Sequence, residues 1–150
     1  MKIFQYLMFT VSVLMLVSGC GGKKAPDLVE VAGTVVANGQ PLPQVEVRFM
    51  PEPKKGEVYD APQPSVAITD ENGQFSLRYQ NKPELQGAVI GPHRITMDDI
   101  LHHESRDNPI PFRFSQSLVN AAKTPLTFEV KEGGDTSVTL DITEYMLGGR

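Results

Sequence analysis

Asp98-Asp99-Ile100-Leu101-His102-His103-Glu104 is the densest run of metal-ligating side chains in the chain. Wound as a helix, it would set Asp98 beside His102 and Asp99 beside His103 four residues apart, a spacing at which carboxylate and imidazole can hold zinc or another divalent ion. A run this short does not hold a helix unaided, so the plainer expectation is an exposed crossing between two strands. No H-E-x-x-H pattern occurs, because His102 and His103 are adjacent and Glu104 follows both. Asp70, Glu71 and Asn72 place three oxygen-bearing side chains before Gly73, which looks superficially like a calcium loop. The alternate ligand spacing and closing bidentate glutamate of such a loop are missing, and a tight turn asks for the same residues. Serine catalysis lacks its G-x-S-x-G elbow. No catalytic residue, metal ligand or cofactor is therefore assigned, and the chain is expected not to be an enzyme.

The single cysteine, Cys20, closes the run Leu16-Val17-Ser18-Gly19-Cys20. Before it stand a basic residue, Lys2, then the apolar stretch from Ile3 to Val17, then two small residues, the three parts of a secretory signal. The stretch falls short of the ~20 apolar residues that span a bilayer. This pattern resembles the bacterial lipobox. The resemblance implies that Cys20 takes a diacylglycerol on its thiol, that the segment 1–19 is cut away, and that the new amine is acylated with a fatty acid such as palmitate. The expected location is the bacterial cell envelope, membrane-anchored and facing the periplasm or the surface.

Cleavage after Gly19 removes one positive charge, Lys2, leaving 13 basic against 18 acidic side chains, or a net −5. The basic residues left are scattered, apart from Lys23-Lys24, which argues against a nucleic-acid partner. With Cys20 acylated, no thiol remains for disulfides or thiolate chemistry, and the fold must hold by its core.

Residues 20–27 read as the acylated cysteine and a linker ending at Pro26. One domain is expected over 28–143, with a tail at 144–150. Within it the pattern has period two, broken by turn residues, as in half-buried antiparallel strands. Val29 to Val35 forms a first strand, Asn38-Gly39 a hairpin turn, and Val45, Val47 and Phe49 the buried face of a second. Residues 51–64, rich in proline, read as an exposed loop. Ser65 to Thr69 and Gln74 to Tyr79 flank the turn Asp70-Gly73 as a hairpin, and His93 to Met97 follows. Leu126 to Lys131 and Ser137 to Ile142 flank Glu132 to Thr136 as another hairpin. Seven short strands without a long amphipathic helix fit an all-β, two-layer antiparallel sandwich. Its expected core is Val31, Val35, Val45, Val47, Phe49, Ile68, Phe75, Leu77, Ile95, Phe128, Val130, Val138, Leu140 and Ile142.

Val31-Ala32-Gly33-Thr34-Val35 with Asn38 to Pro43, then Thr69 to Phe75, then Gly91-Pro92-His93-Arg94-Ile95-Thr96 are together similar to carboxypeptidase-regulatory-like and transthyretin-like β-sandwich domains, which occur in many bacterial surface lipoproteins. The resemblance covers nearly the whole chain after Cys20 and implies an architecture rather than an activity. The transthyretin-like branch includes 5-hydroxyisourate hydrolases, marked by an N-terminal histidine, an arginine and a C-terminal Tyr-Arg-Gly-Ser. This chain departs from that pattern, with no histidine before His93 and the end Glu144-Tyr145-Met146-Leu147-Gly148-Gly149-Arg150. The expected function is a non-catalytic, membrane-anchored envelope lipoprotein whose sandwich binds or scaffolds an envelope protein or glycan through an exposed strand edge or the loops at 51–64 and 98–124. The rivals are a divalent-metal-binding protein centred on His102 and His103, and a transthyretin-like hydrolase with a pocket gathering His93, Arg94 and a carboxylate.

Overall fold

Alternation of apolar and polar residues extends this chain, and turn chemistry decides where it reverses. The computed structural model describes residues 26–53, 61–104 and 110–148; Cys20, the expected leader, most of the linker and the centre of the 51–64 loop lie outside the described residues. The strands are Leu28–Val29 (β1), Val31–Ala37 (β2), Gln40–Pro41 (β3), Val45–Pro51 (β4), Ser65–Ile68 (β5), Gln74–Ser76 (β6), Arg78–Tyr79 (β7), Ala88–Val89 (β8), Gly91–Asp99 (β9), Thr127–Val130 (β10) and Asp135–Asp141 (β11). A short helix, Ile100–Glu104 (α1), follows β9, and 3-10 turns occupy Gln116–Leu118 and Thr143–Tyr145. No helix among the described residues is long and apolar enough to cross a membrane.

One sheet runs β10-β9-β4-β5-β7, antiparallel throughout. The other runs β11-β2-β3, with β6 also paired to β2, while β1 and β8 pair by themselves. Asn38 and Gly39 hold φ of 52° and 72°, the two positive values a two-residue hairpin turn demands, so Ala37 faces Gln40 and Val36 faces Pro41. Val31 and Val35 of one sheet and Val45, Val47, Phe49 and Ile95 of the other fall into a single buried cluster. The strand-rich, mainly antiparallel character expected from periodicity is present.

Pairing differs from expectation in two places. The turn at Asp70 forms, with Gly73 N–H donating to Asp70 O at 2.9 Å and the Asp70 carboxylate accepting from the Asn72 and Gln74 N–H groups at 2.8 Å each. The returning strand then breaks at Leu77: Gln74–Ser76 pairs with β2, and only Arg78–Tyr79 comes back to β5. Phe75, Leu77 and Tyr79 are all buried, so this strand crosses from one sheet to the other with one face on the core. The expected hairpin of residues 126–131 and 137–142 does not form, because β10 joins β9 while β11 lies parallel to β2. Alternation specifies which face is buried and is silent on the partner. The parallel pair also needs a close approach: a Cβ on Gly33 would stand 2.0 Å from the Val138 carbonyl oxygen, so only glycine fits there.

Two core assignments also change. Val47 faces Ala67 and Phe49 faces Ser65 across the ladder, which turns Ser65, Ala67 and Thr69 inward and leaves Ile68 54 % exposed. Val66 and Ile68 are both apolar yet face outward, so a register that buries Ile68 is one residue out of phase. Phe128 is half-buried at the margin, edge-on to Phe49 with ring centroids 5.6 Å apart. Met97, Phe114 and Leu118, all buried, complete the core from residues that periodicity left out. Beyond the expected domain end, Tyr145 O accepts from Ser115 N–H at 2.8 Å and Leu147 N–H donates to Arg113 O at 2.9 Å, tying the last described residues to the 113–115 segment.

These burials set a graded outcome. Phe75→Ala should cost ~3–5 kcal/mol through lost burial and a cavity, and Phe128→Ala clearly less. Ile68→Ala should stay within ~0.5 kcal/mol of wild type, as exposed positions do. Urea denaturation of the three variants measures this order, and a large loss at Ile68 would contradict the register.

Candidate functional site

The end of β9 fixes the site. Asp98 and Asp99 lie on the strand, opposite Glu46 and Val45 of β4, and neighbours on a strand point to opposite faces. Helix α1 begins only at Ile100, so the four-residue helical spacing that would bring Asp98 to His102 and Asp99 to His103 does not arise. Asp99 turns inward and is fully buried. Arg113 meets it there. Its Nη2 donates to Oδ1 at 2.7 Å, its Nε to both carboxylate oxygens at 3.1 Å, and its backbone N–H to Oδ2 at 2.9 Å. The same guanidinium donates to Pro43 O at 2.8 Å and Gln44 O at 3.1 Å. Burial by itself pushes the Asp99 carboxyl up, but the Arg113 hydrogen bonds and charge, with the Leu101 N–H, outweigh it and hold the group below the usual carboxylate range.

Gln44 records what this arrangement demands of the backbone. It sits at φ 58°, a left-handed conformation that costs a residue other than glycine ~1–2 kcal/mol. Its carbonyl thereby faces both Arg113 and the Ile100 N–H, 3.2 Å away, at the start of α1.

Asp98, on the other face, accepts from its neighbour's N–H at 2.9 Å and meets His103 Nε2 at 3.0 Å. His102 turns away from both carboxylates. Its Nδ1–H donates to Ile110 O, and its ring stacks on Phe112 with centroids 3.5 Å apart and planes 21° off parallel. His103 stands edge-on to the same phenyl ring at 6.1 Å. The four candidate ligands are thus divided among three jobs, and no group of three or more His, Cys, Asp or Glu converges among the described residues.

An open cleft of about 500 Å³ lies between these groups and the next loop. Asp98, His103 and Phe112 form one wall; Gln116, Ser117, Val119, Asn120 and Lys123 form the other. The second wall is anchored from below by buried Leu118 and Phe114. Ser115 caps its 3-10 turn, Thr124 Oγ1 donates to Ile95 O at 2.7 Å, and Arg94 reaches Ala121 O at 3.3 Å. These residues fall in the loop 98–124 that the sequence offers as a binding surface, but no single residue of 112–123 stands out there, because the stretch has no periodicity; the signal available is Arg113 between two aromatics.

His93 and Arg94, the pair that a hydrolase pocket would gather, lie on opposite faces of β9. Arg94 is exposed and bonded to Glu52 at 3.1 Å, whereas His93 is 1 % exposed, with Phe49 at 6.0 Å. Its Nδ1–H donates to Gly91 O at 2.9 Å, and its Nε2 has no partner among the described residues.

No family model matches this chain, and a search of curated proteins finds no match. Among solved structures, the chain is similar to a DUF3823 family protein from Parabacteroides merdae ATCC 43184, with a TM-score of 0.41 and 20 % sequence identity over 79 % of this chain. The match spans 46 % of that protein's chain, under half its length.

Burial lowers the His93 pKa, outweighing the Gly91 carbonyl and the Glu129 and Glu52 carboxylates, which raise it. In the unfolded chain the ring titrates near about 6.5. Above that pH both states hold it neutral and the stability is fully present. As pH falls through about 6.5 towards the lower folded value, the unfolded state takes up the proton first and stability is lost. The melting temperature should therefore fall between about pH 7.5 and pH 5, and His93→Phe should flatten that part of the curve. Parallel curves for the two proteins would show that His93 does not govern this window.

Proposed function

We propose that this chain is a bacterial envelope lipoprotein held to the membrane by acylated Cys20, and that its strand-rich domain is a non-catalytic binding module. In this reading the two sheets are a β-sandwich of the transthyretin-like or carboxypeptidase-regulatory-like class, and the cleft between β9 and residues 112–123 is its binding face. The observation that carries the reading is that cleft: its walls are fixed by a buried ion pair and a buried core, while its lining is left to solvent. The three histidines support binding over reaction. Among the described residues they bond to Gly91 O, Ile110 O and the Asp98 carboxylate, so none stands against a hydroxyl as the base of a nucleophilic pair does. The charge balance is unsuited to nucleic acid, and the envelope offers proteins and glycans as partners.

The anchor is tested by Cys20→Ser, which removes the thiol that the lipid needs. Wild type should partition into detergent and carry the added mass of a diacylglycerol and an acyl chain, while the variant should leave the membrane fraction or persist as an uncleaved precursor. A mature wild-type protein with an unmodified thiol would overturn the reading.

A further inference from the structure

The chemistry lining the cleft is mixed in a particular way. It holds one aromatic ring, Phe112, already stacked on His102 on one side; one carboxylate, Asp98, held by His103; two amides, Gln116 and Asn120; and Lys123, whose ammonium makes no ion pair among the described residues. An apolar ligand would leave these polar groups unpaired, which is costly once water is excluded. A polyanion such as nucleic acid would need more than one cation. Vicinal hydroxyls on a ring with an apolar C–H face meet every requirement. The C–H face lies against an aromatic ring, a carboxylate accepts from two hydroxyls, and an amide gives and takes one hydrogen bond each. A volume of about 500 Å³ lies within the range of small-ligand sites. The larger hollow over β2, lined by Thr34, Ser76 and Thr139, offers hydroxyls but only buried Phe75 as an aromatic, and no cation.

We propose that the cleft binds a short acidic saccharide, with Phe112 under one sugar ring, Asp98, Gln116 and Asn120 reading its hydroxyls, and Lys123 pairing with a uronic carboxylate. The proposal rests on the cleft being the binding face described above and names the chemical class it takes.

Calorimetric titration of the full mature chain in detergent tests it, using trigalacturonate and trimannuronate as acidic probes and cellotriose, xylotriose and chitotriose as neutral ones. At least one acidic trisaccharide should bind. Lys123→Gln should weaken that binding by about tenfold, the loss expected for one charged hydrogen bond, without changing the melting temperature. Gln116→Ala should weaken acidic and neutral probes alike, and Phe112→Ala should abolish binding. Because Phe112→Ala also removes the stack on His102, the Lys123 and Gln116 variants decide the matter if that protein is unstable. Binding by no probe, binding by neutral probes alone, or binding indifferent to Lys123 and Gln116 would each overturn the proposal. Failure here leaves the Cys20 result untouched. Recovery of a cleaved trisaccharide would instead remove the non-catalytic reading while keeping the site.

Discussion

The Asp99–Arg113 ion pair is the interaction on which the functional end of this molecule depends. A carboxylate with no exposed surface is costly to keep charged unless its partner is close and its oxygens are satisfied. Here both oxygens are bonded, and the guanidinium spends its other donors on Pro43 and Gln44. One side chain thus joins the end of β9, the bend before β4 and the segment leading to the second wall of the cleft. Strand alternation does the rest: with Asp99 drawn in, Asp98 must face out, where it meets His103 and opens the cleft's first wall. The left-handed Gln44 is the local strain that this junction tolerates.

Behind the cleft, the two sheets share a core because the chain keeps changing sheets. The β6–β7 segment crosses with Phe75, Leu77 and Tyr79 buried along the way, and the connection from β10 to β11 hands the chain across again. Asp135 N–H bonds Glu30 O at 2.9 Å as β11 arrives, and the absent side chain of Gly33 lets it settle parallel to β2. These crossings spread contacts far along the sequence.

Much of the fold was legible in the sequence. Val31, Val35, Val45, Val47 and Phe49 announced buried faces by period two, and Asn38-Gly39 and Asp70-Gly73 announced their turns by backbone chemistry. The partners of β10 and β11 were not legible, since a strand's alternation is the same whichever neighbour it has. Ile68 misled because it is apolar on an outward face, and its phase is settled only by the ladder with Val47 and Phe49. The candidate site was half legible. Asp98, Asp99 and His103 drew notice for their chemistry, but their sorting depended on where β9 stops and α1 starts, a boundary that local propensity places poorly. Arg113, the organiser, lies 14 residues from its carboxylate in a stretch without periodicity.

The ion pair organises the cleft and is separable from the sheet core. Amide hydrogen exchange in Asp99→Asn, near in shape but without the charge, measures that directly. Amides of α1 and of residues 110–119 should exchange markedly faster than in wild type, while the β4–β9 ladder around Val47 and Met97 keeps its protection. Equal acceleration across the whole chain, or an unchanged 110–119 segment, would show that the pair does not organise this end of the molecule.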